Sequence, residues 1–187
     1  MDKEQAVAED MGESNDRVMR AKPIILDLLK GDDLLPVECE DNKVLQMLDR
    51  TCGIDYYHVF EKYGFAWGIG SRVQPIDPGT KPWNTFTVRL DRESGAMTEY
   101  QKRKRAIERG GTYPYLTLQL YVSSLDDGVL SLGIARTQDI IEFIDRGLAF
   151  KQHTRCDKIG QASFYVVRWE AMVGYGYKVL TYEKGEK

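Results

Sequence analysis

Asp55 follows Gly53-Ile54 and opens the run Tyr56-Tyr57-His58-Val59-Phe60, so a carboxylate stands at the mouth of an expected strand. Phosphodiester hydrolysis needs an activated water, neutralised charge on phosphorus and a stabilised leaving oxygen. One or two Mg²⁺ ions held on carboxylates supply all three. Mg²⁺ takes hard oxygen ligands and keeps several waters, so two carboxylates suffice. Asp55 and Glu99 are the candidate metal pair, with Asp49 and Glu38 in reserve. Lys102 lies one helical turn beyond Glu99 and would orient or polarise the water. Arg72 and Arg89, expected on adjacent strands, would grip phosphate oxygens in forked geometry. The run Gln101–Arg109 places Lys102, Arg103, Lys104, Arg105 and Arg109 against the single acid Glu108. It reads either as a phosphate-contacting face, with Arg103 and Arg105 among its cations, or as a solvated helix face.

Each of these residues also has an ordinary use. Asp55 can bond a turn, and Glu99 suits the first turn of any helix because the helix dipole favours an acid there. Arg72 and Arg89 can face solvent, and Gln74 and Gln119 can be amides on a sheet surface. Cys52, His58, His153 and Cys156 make a poor zinc set, since only His153 and Cys156 have ligand-like spacing. The glycines from Gly64 to Gly70 lack the Lys-Ser/Thr ending of a phosphate loop and read as strand-pairing or bulge positions.

Composition narrows the classes. With 42% apolar residues, the 187-residue chain can bury a sizeable core in one domain. A formal net charge of −3 gives no global basic field to announce nucleic acid, so any such contact must be local. Three cysteines (Cys39, Cys52, Cys156) without a CxxC pair, no membrane-length apolar run and no basic-then-apolar leader predict a cytoplasmic protein off the membrane.

The elements that must position these residues follow from periodicity. Residues 1–16, rich in acids, read as a flexible arm or else as a short amphipathic helix or docking arm, and residues 17–187 as a single domain. A helix is expected from Asn15 or Asp16 to Gly31, broken or kinked at Pro23. A second spans Asp41 to Arg50. Strands follow at Ile54–Phe60, Phe65–Val73 and Asn84–Leu90, with the alternation of a half-buried surface in the last. Thr98 caps a helix to Glu108 that Gly110-Gly111 stops. Tyr115–Ser123 and Val129–Arg136 flank the turn Asp126-Asp127-Gly128. Thr137 caps the helix Gln138–Asp145, and strands at Ser163–Trp169 and Tyr177–Tyr182 close the chain. This order predicts an α+β fold, a mixed central β-sheet flanked by helices.

The segments Gly53-Ile54-Asp55, Arg72-Val73-Gln74, Phe86-Thr87-Val88-Arg89 and Ser94-Gly95-Ala96-Met97-Thr98-Glu99 occur in an order that resembles the PD-(D/E)XK nuclease-like superfamily. More narrowly, it is similar to uncharacterised phage and mobile-element proteins. The resemblance covers roughly Asp41 to Ile144. It implies the restriction-endonuclease-like form of the mixed sheet and, in an active member, Mg²⁺-dependent cleavage of DNA. Arg72 and Gln74 fall where that superfamily carries an acid and a lysine. Gln74 would take the place of the lysine, and the acid would be supplied from the next helix by Glu99, with Lys102 beside it.

Three readings stay open on the residues alone. One is a divergent metal-dependent nuclease acting on DNA. Another is a catalytically inactive nucleic-acid binder on the same fold, favoured by the positive charge of Arg72. The third is a protein-interaction module, an inhibitor or accessory subunit, suited by the acidic N-terminal stretch and eleven tyrosines.

Overall fold

The computed structural model describes residues 3–37, 43–44, 51–91, 96–156 and 160–185; the side chains of 3–11, 154–156 and 160–161 are not described. Of the expected helix Asp41–Arg50 only residues 43–44 are described, and they are helical; residues 92–95 and the reserve acids Glu38 and Asp49 lie outside the described residues.

The chain is α+β. In order, the elements are α1 (Lys3–Leu29), β1 (Asp33–Pro36), β2 (Tyr56–Phe60), β3 (Phe65–Ile76), β4 (Thr85–Arg89), α2 (Glu99–Arg109), β5 (Leu116–Ser123), β6 (Val129–Arg136), α3 (Thr137–Asp145), β7 (Phe150–Cys156), β8 (Gly160–Arg168), α4 (Trp169–Gly174) and β9 (Val179–Glu183). Six strands form a mixed sheet in the order β1-β2-β3-β5-β6-β9, and β4-β8-β7 form a smaller one. Among the described residues only β3 and β5 pair in parallel, with Gly70 opposite Thr117 and Arg72 opposite Gln119.

The period of two explains the layering. Along β5, Leu116, Leu118, Leu120 and Val122 pack against α1, which contributes Val18, Ala21 and Ile25. The intervening Tyr121 faces the other way, into a core with Phe86 and Val88 of β4, Ile140, Ile141 and Ile144 of α3, and Trp169 and Met172 of α4. Residues Leu116–Val122 are all buried, as a central strand covered on both faces requires.

Several expectations are corrected. β4 is not a third strand of the first sheet. The open edge of β3 is taken by β5, and β4 pairs instead with β8, Arg89 opposite Phe164. The first helix begins at Lys3, well before Asn15, and Asn15 is not its cap: its Oδ1 accepts from the Tyr56 hydroxyl at 2.7 Å. Pro23 lies inside that helix. Proline in a helix interior costs about 3 kcal/mol, but the complete burial of Val18, Ala21 and Ile25 on either side of it outweighs that. Thr137 begins α3 without capping it; its hydroxyl is buried against that of Thr117 at 2.9 Å. β1, β7 and α4 have no counterpart in the sequence reading.

Other local signals act as expected. Thr98 and Gln101 form a capping box: Thr98 Oγ1 accepts from Gln101 N at 3.4 Å, and Gln101 Oε1 accepts from Thr98 N at 3.0 Å. Gly110 ends α2 at φ 65°, a left-handed conformation that glycine enters without strain. Among the described residues no helix is long and apolar enough to cross a membrane.

Candidate functional site

Asp55 sits one residue before β2, where the β2–β3 ladder ends. Its N–H donates to the Ile69 carbonyl at 2.8 Å, and its own carbonyl accepts from Val37 N–H at 2.9 Å. Beyond that point β3 runs on without β2. The Asp55 carboxylate takes over, with Oδ2 accepting from Ser71 N at 2.5 Å and from Ser71 Oγ at 3.0 Å. The acid thus completes a sheet edge with charge-assisted bonds, the kind that fix a carboxylate in one place.

The next residue of β3, Arg72, holds the second acid. Its Nη2 donates to Glu99 Oε2 at 2.8 Å, and the same oxygen accepts from the backbone N–H of Arg89 at 3.3 Å. The other oxygen, Oε1, pairs with Nη2 of Arg103 at 2.8 Å. Burial raises the Glu99 carboxyl, but the charges of Arg103 and Arg72 and the Arg89 N–H outweigh it and bring the pKa down to about 2. The carboxylate is therefore ionised throughout the physiological range.

Arg103, expected on a phosphate-contacting face, is instead 5% exposed. One turn after Glu99 on α2, it reaches inward, and its Nη1 donates to Thr117 Oγ1 at 3.0 Å. Gly70 makes this possible: a Cβ there would stand 2.6 Å from Arg103 Nη2 and 2.8 Å from the Gly53 carbonyl. Arg105, two positions on, is exposed on the outer side of α2. Lys102 is half-buried beside Cys52. Burial pushes the Cys52 thiol up, and the Lys102 charge works against that. Gln74 is half-buried on the same face of β3 as Arg72 and lies opposite Tyr121 of β5. Gln119, expected on a sheet surface, is buried and accepts from the Thr87 hydroxyl at 3.2 Å.

Arg72 and Arg89 lie in different sheets, yet they converge on one ring. The Arg72 guanidinium is 5.2 Å from the centre of Phe164, and that of Arg89 is 5.6 Å from it. Phe164 was invisible as a site residue in the sequence. Only the pairing of β4 with β8, which sets Arg89 opposite Phe164, could have revealed it.

The donor set bears on a metal ion. Asp55 and Glu99 are bonded by consecutive residues of β3, Ser71 and Arg72, whose side chains leave the strand on opposite faces, so the strand does not gather the two carboxylates on one side. Both Glu99 oxygens already accept from guanidinium groups, and a divalent ion would have to displace one. Among the described residues no group of three or more His, Cys, Asp or Glu side chains is placed to hold a metal. His58 lies buried beneath Gly31 on the α1 side of the sheet, and His153 bonds Ser163 in the second sheet, so the zinc set is divided between separate elements. The side chain of Cys156 is not described.

No protein-family model, no curated protein and no solved structure matches this chain.

Proposed function

We propose that this protein binds nucleic acid without cutting it, on a nuclease-like site in which guanidinium groups have taken the place of a metal centre. The observation that carries the reading is the convergence of Arg72 and Arg89 on Phe164 around a Glu99 carboxylate whose two oxygens are bound by arginine. Arg72 spends one N–H on Glu99. A guanidinium has five donors, and the remainder suit the oxygens of a phosphodiester. Phe164 supplies a flat apolar surface between the two cations. The resemblance to the PD-(D/E)XK nuclease-like superfamily supports DNA as the ligand.

Fluorescence anisotropy with labelled DNA tests this. The protein should bind with an affinity that falls as salt rises, with a log–log slope of about −2 for two phosphates neutralised. Arg89→Ala should weaken binding across sequences and reduce that slope by about 1. Salt-insensitive binding, or none, sinks the reading and favours the protein-interaction module, for which a stable host partner would then be sought by pull-down.

A second reading is favoured by one observation: consecutive residues of β3, Ser71 and Arg72, bond Asp55 and Glu99, so both acids are fixed at one level of the sheet, with Lys102 three residues after Glu99 on α2. In that reading Glu99 releases an arginine when Mg²⁺ and DNA arrive, and the protein is a metal-dependent nuclease. Nicking of plasmid DNA with Mg²⁺ or Mn²⁺ that is abolished by Asp55→Ala would establish it. Nicking that survives in the Asp55 variant would remove it.

A further inference from the structure

The start of β4 is tied to the six-stranded sheet by Thr85–Tyr121 and Asn84–Ser131 hydrogen bonds. On β8, the residues Phe164, Val166 and Arg168 alternate toward the six-stranded sheet, opposite Arg89, Thr87 and Thr85 of β4. On β7, Gln152 lies opposite Phe164 and Phe150 opposite Val166. Between this hairpin face, the start of β4, α4 and β9 lies a cavity of about 870 Å³. That volume is in the range that encloses a small molecule or one unit of a polymer.

Its walls combine three kinds of group. Trp83 and Phe150 are flat and open, at 52% and 45% exposure. Arg168 lies over the Phe150 ring, 5.3 Å from its centre, at the rim. Asn84 and Glu183 supply polar atoms, and Trp169 on the wall has a buried Nε1 with no hydrogen-bond partner. The site is firmly built. Asn84 adopts φ 50°, its carbonyl accepts from Trp169 N–H at 3.0 Å, its Oδ1 accepts from Ser131 Oγ at 2.9 Å, and its Nδ2 donates to Glu183 at 2.5 Å. A non-glycine residue held at positive φ by bonds to three elements marks a wall whose shape is fixed.

The charges say which ligand fits. A bare phosphate or a duplex backbone would meet Glu183, and also Glu170, which lies 3.8 Å from Arg168. An unpaired nucleotide has a use for both signs. Its phosphate suits the exposed arginine. Its exocyclic amines and ring N–H groups, which pairing hides in a duplex, suit a carboxylate and an amide oxygen. Its face stacks on aromatic rings whatever its sequence. Gln152 is at once a wall of the cavity and the cross-strand neighbour of Phe164, so the cavity and the Arg72–Phe164–Arg89 cluster share one side of the β7–β8 hairpin. We infer that the cavity between Trp83, Phe150 and Arg168 holds an unpaired nucleotide of a single strand whose backbone continues to Arg72 and Arg89. This rests on the nucleic-acid reading above and narrows its ligand to single-stranded DNA or RNA.

The test measures anisotropy of a labelled mixed-sequence single-stranded oligodeoxynucleotide and of its duplex at one fixed salt concentration. The wild-type chain should prefer the single strand. Trp83→Ala and Phe150→Ala should each weaken single-strand binding roughly 10-fold, the loss of one stacked base. Arg168→Ala should lower the single-strand salt slope by about 0.7. Trp83 and Phe150 are open to solvent, and unchanged thermal melting will show that these variants fold. Single-strand binding untouched by both aromatic substitutions but weakened by Arg89→Ala overturns the cavity and leaves the arginine cluster standing. Binding lost in the aromatic variants but not in Arg89→Ala keeps the cavity and removes the cluster. Equal affinity for the duplex with the same response to Trp83→Ala overturns the single-strand assignment, and no binding of either oligonucleotide overturns both proposals.

Discussion

The two faces of the six-stranded sheet are made by alternate residues of the same strands, and they are held by different physics. Toward α1, Ile69, Leu118, Leu120, Leu132 and Ile134 meet Val18, Ala21 and Ile25 in an apolar contact. Toward the second sheet, the same strands present Gly70, Arg72, Thr117, Gln119 and Tyr121. The first face needs only volume and area, which are non-directional. The second has its own apolar core around Tyr121 and, beside it, polar groups that need partners at defined angles. α2 brings Glu99 and Arg103, β4 brings Thr85 and Thr87, and α3 brings Thr137. A buried polar layer gives specificity only when its members are satisfied, so it depends on every element that reaches into it. The candidate site lies at the open end of that layer, where guanidinium groups held in place from below come close to solvent. Buried polar atoms without a hydrogen-bond partner occur on both sides: Gln119 Nε2 in the layer, and both ring nitrogens of His58 on the apolar side, where burial lowers the His58 pKa.

The comparison can be broken most severely from the polar side. Arg103→Ala leaves one Glu99 oxygen without its buried partner and Thr117 with Thr137 alone, and should cost about 3–5 kcal/mol in chemical denaturation. Adding Glu99→Gln should recover part of that loss. Strict additivity of the two substitutions would show that the pair is not coupled.

From the apolar side, Leu118→Ala should cost about 3 kcal/mol, the transfer and cavity terms of a fully buried leucine. A loss below about 1 kcal/mol would mean that α1 closes over the gap, and that this face is softer than the polar one.

Acid separates the faces without a mutation. The folded pKa of Glu99 lies below its unfolded value, so between the two the unfolded chain binds more protons and stability rises with pH. The contribution is fully present above about pH 4.5 and is lost as pH falls through about 2. The loss is on the order of 2 kcal/mol once screening at a 22% exposed carboxylate is allowed for. Denaturation curves of the wild type and Glu99→Gln should converge over that interval. Parallel curves would place the carboxylate outside the layer.

The smallest effect is local. Thr98→Ala removes the cap that starts α2 and should cost about 1 kcal/mol. It should also loosen Glu99, the first residue of that helix. A change in stability with no change in DNA affinity would separate the cap from the site.

Much of the scaffold was legible from sequence. Thr98 with Gln101, Gly110, the Asp126–Gly128 turn and the alternation through Leu116, Leu118 and Leu120 are local signals, and each acts where its chemistry says. The site was legible in part. Asp55 stands at the strand mouth as expected, and Glu99 and Arg72 meet, but as an ion pair rather than as metal ligand and phosphate grip; Arg103 points inward, and neither Phe164 nor Gly70 could be chosen in advance. An arginine on a helix gives no local sign of whether it will meet solvent or a buried threonine, because that depends on the strand beneath it.

By itself the sequence determined α2, α3, several turns and most strands, since these depend on residues a few positions apart and on caps, glycines and periods. Only the tertiary structure decided that β4 leaves the first sheet for a second one, that Asp55 completes an edge, and that two arginines from facing sheets close on one phenylalanine. Those outcomes turn on which strand edge is already occupied and on how directional polar groups find partners far along the chain, and neither is written in any single segment.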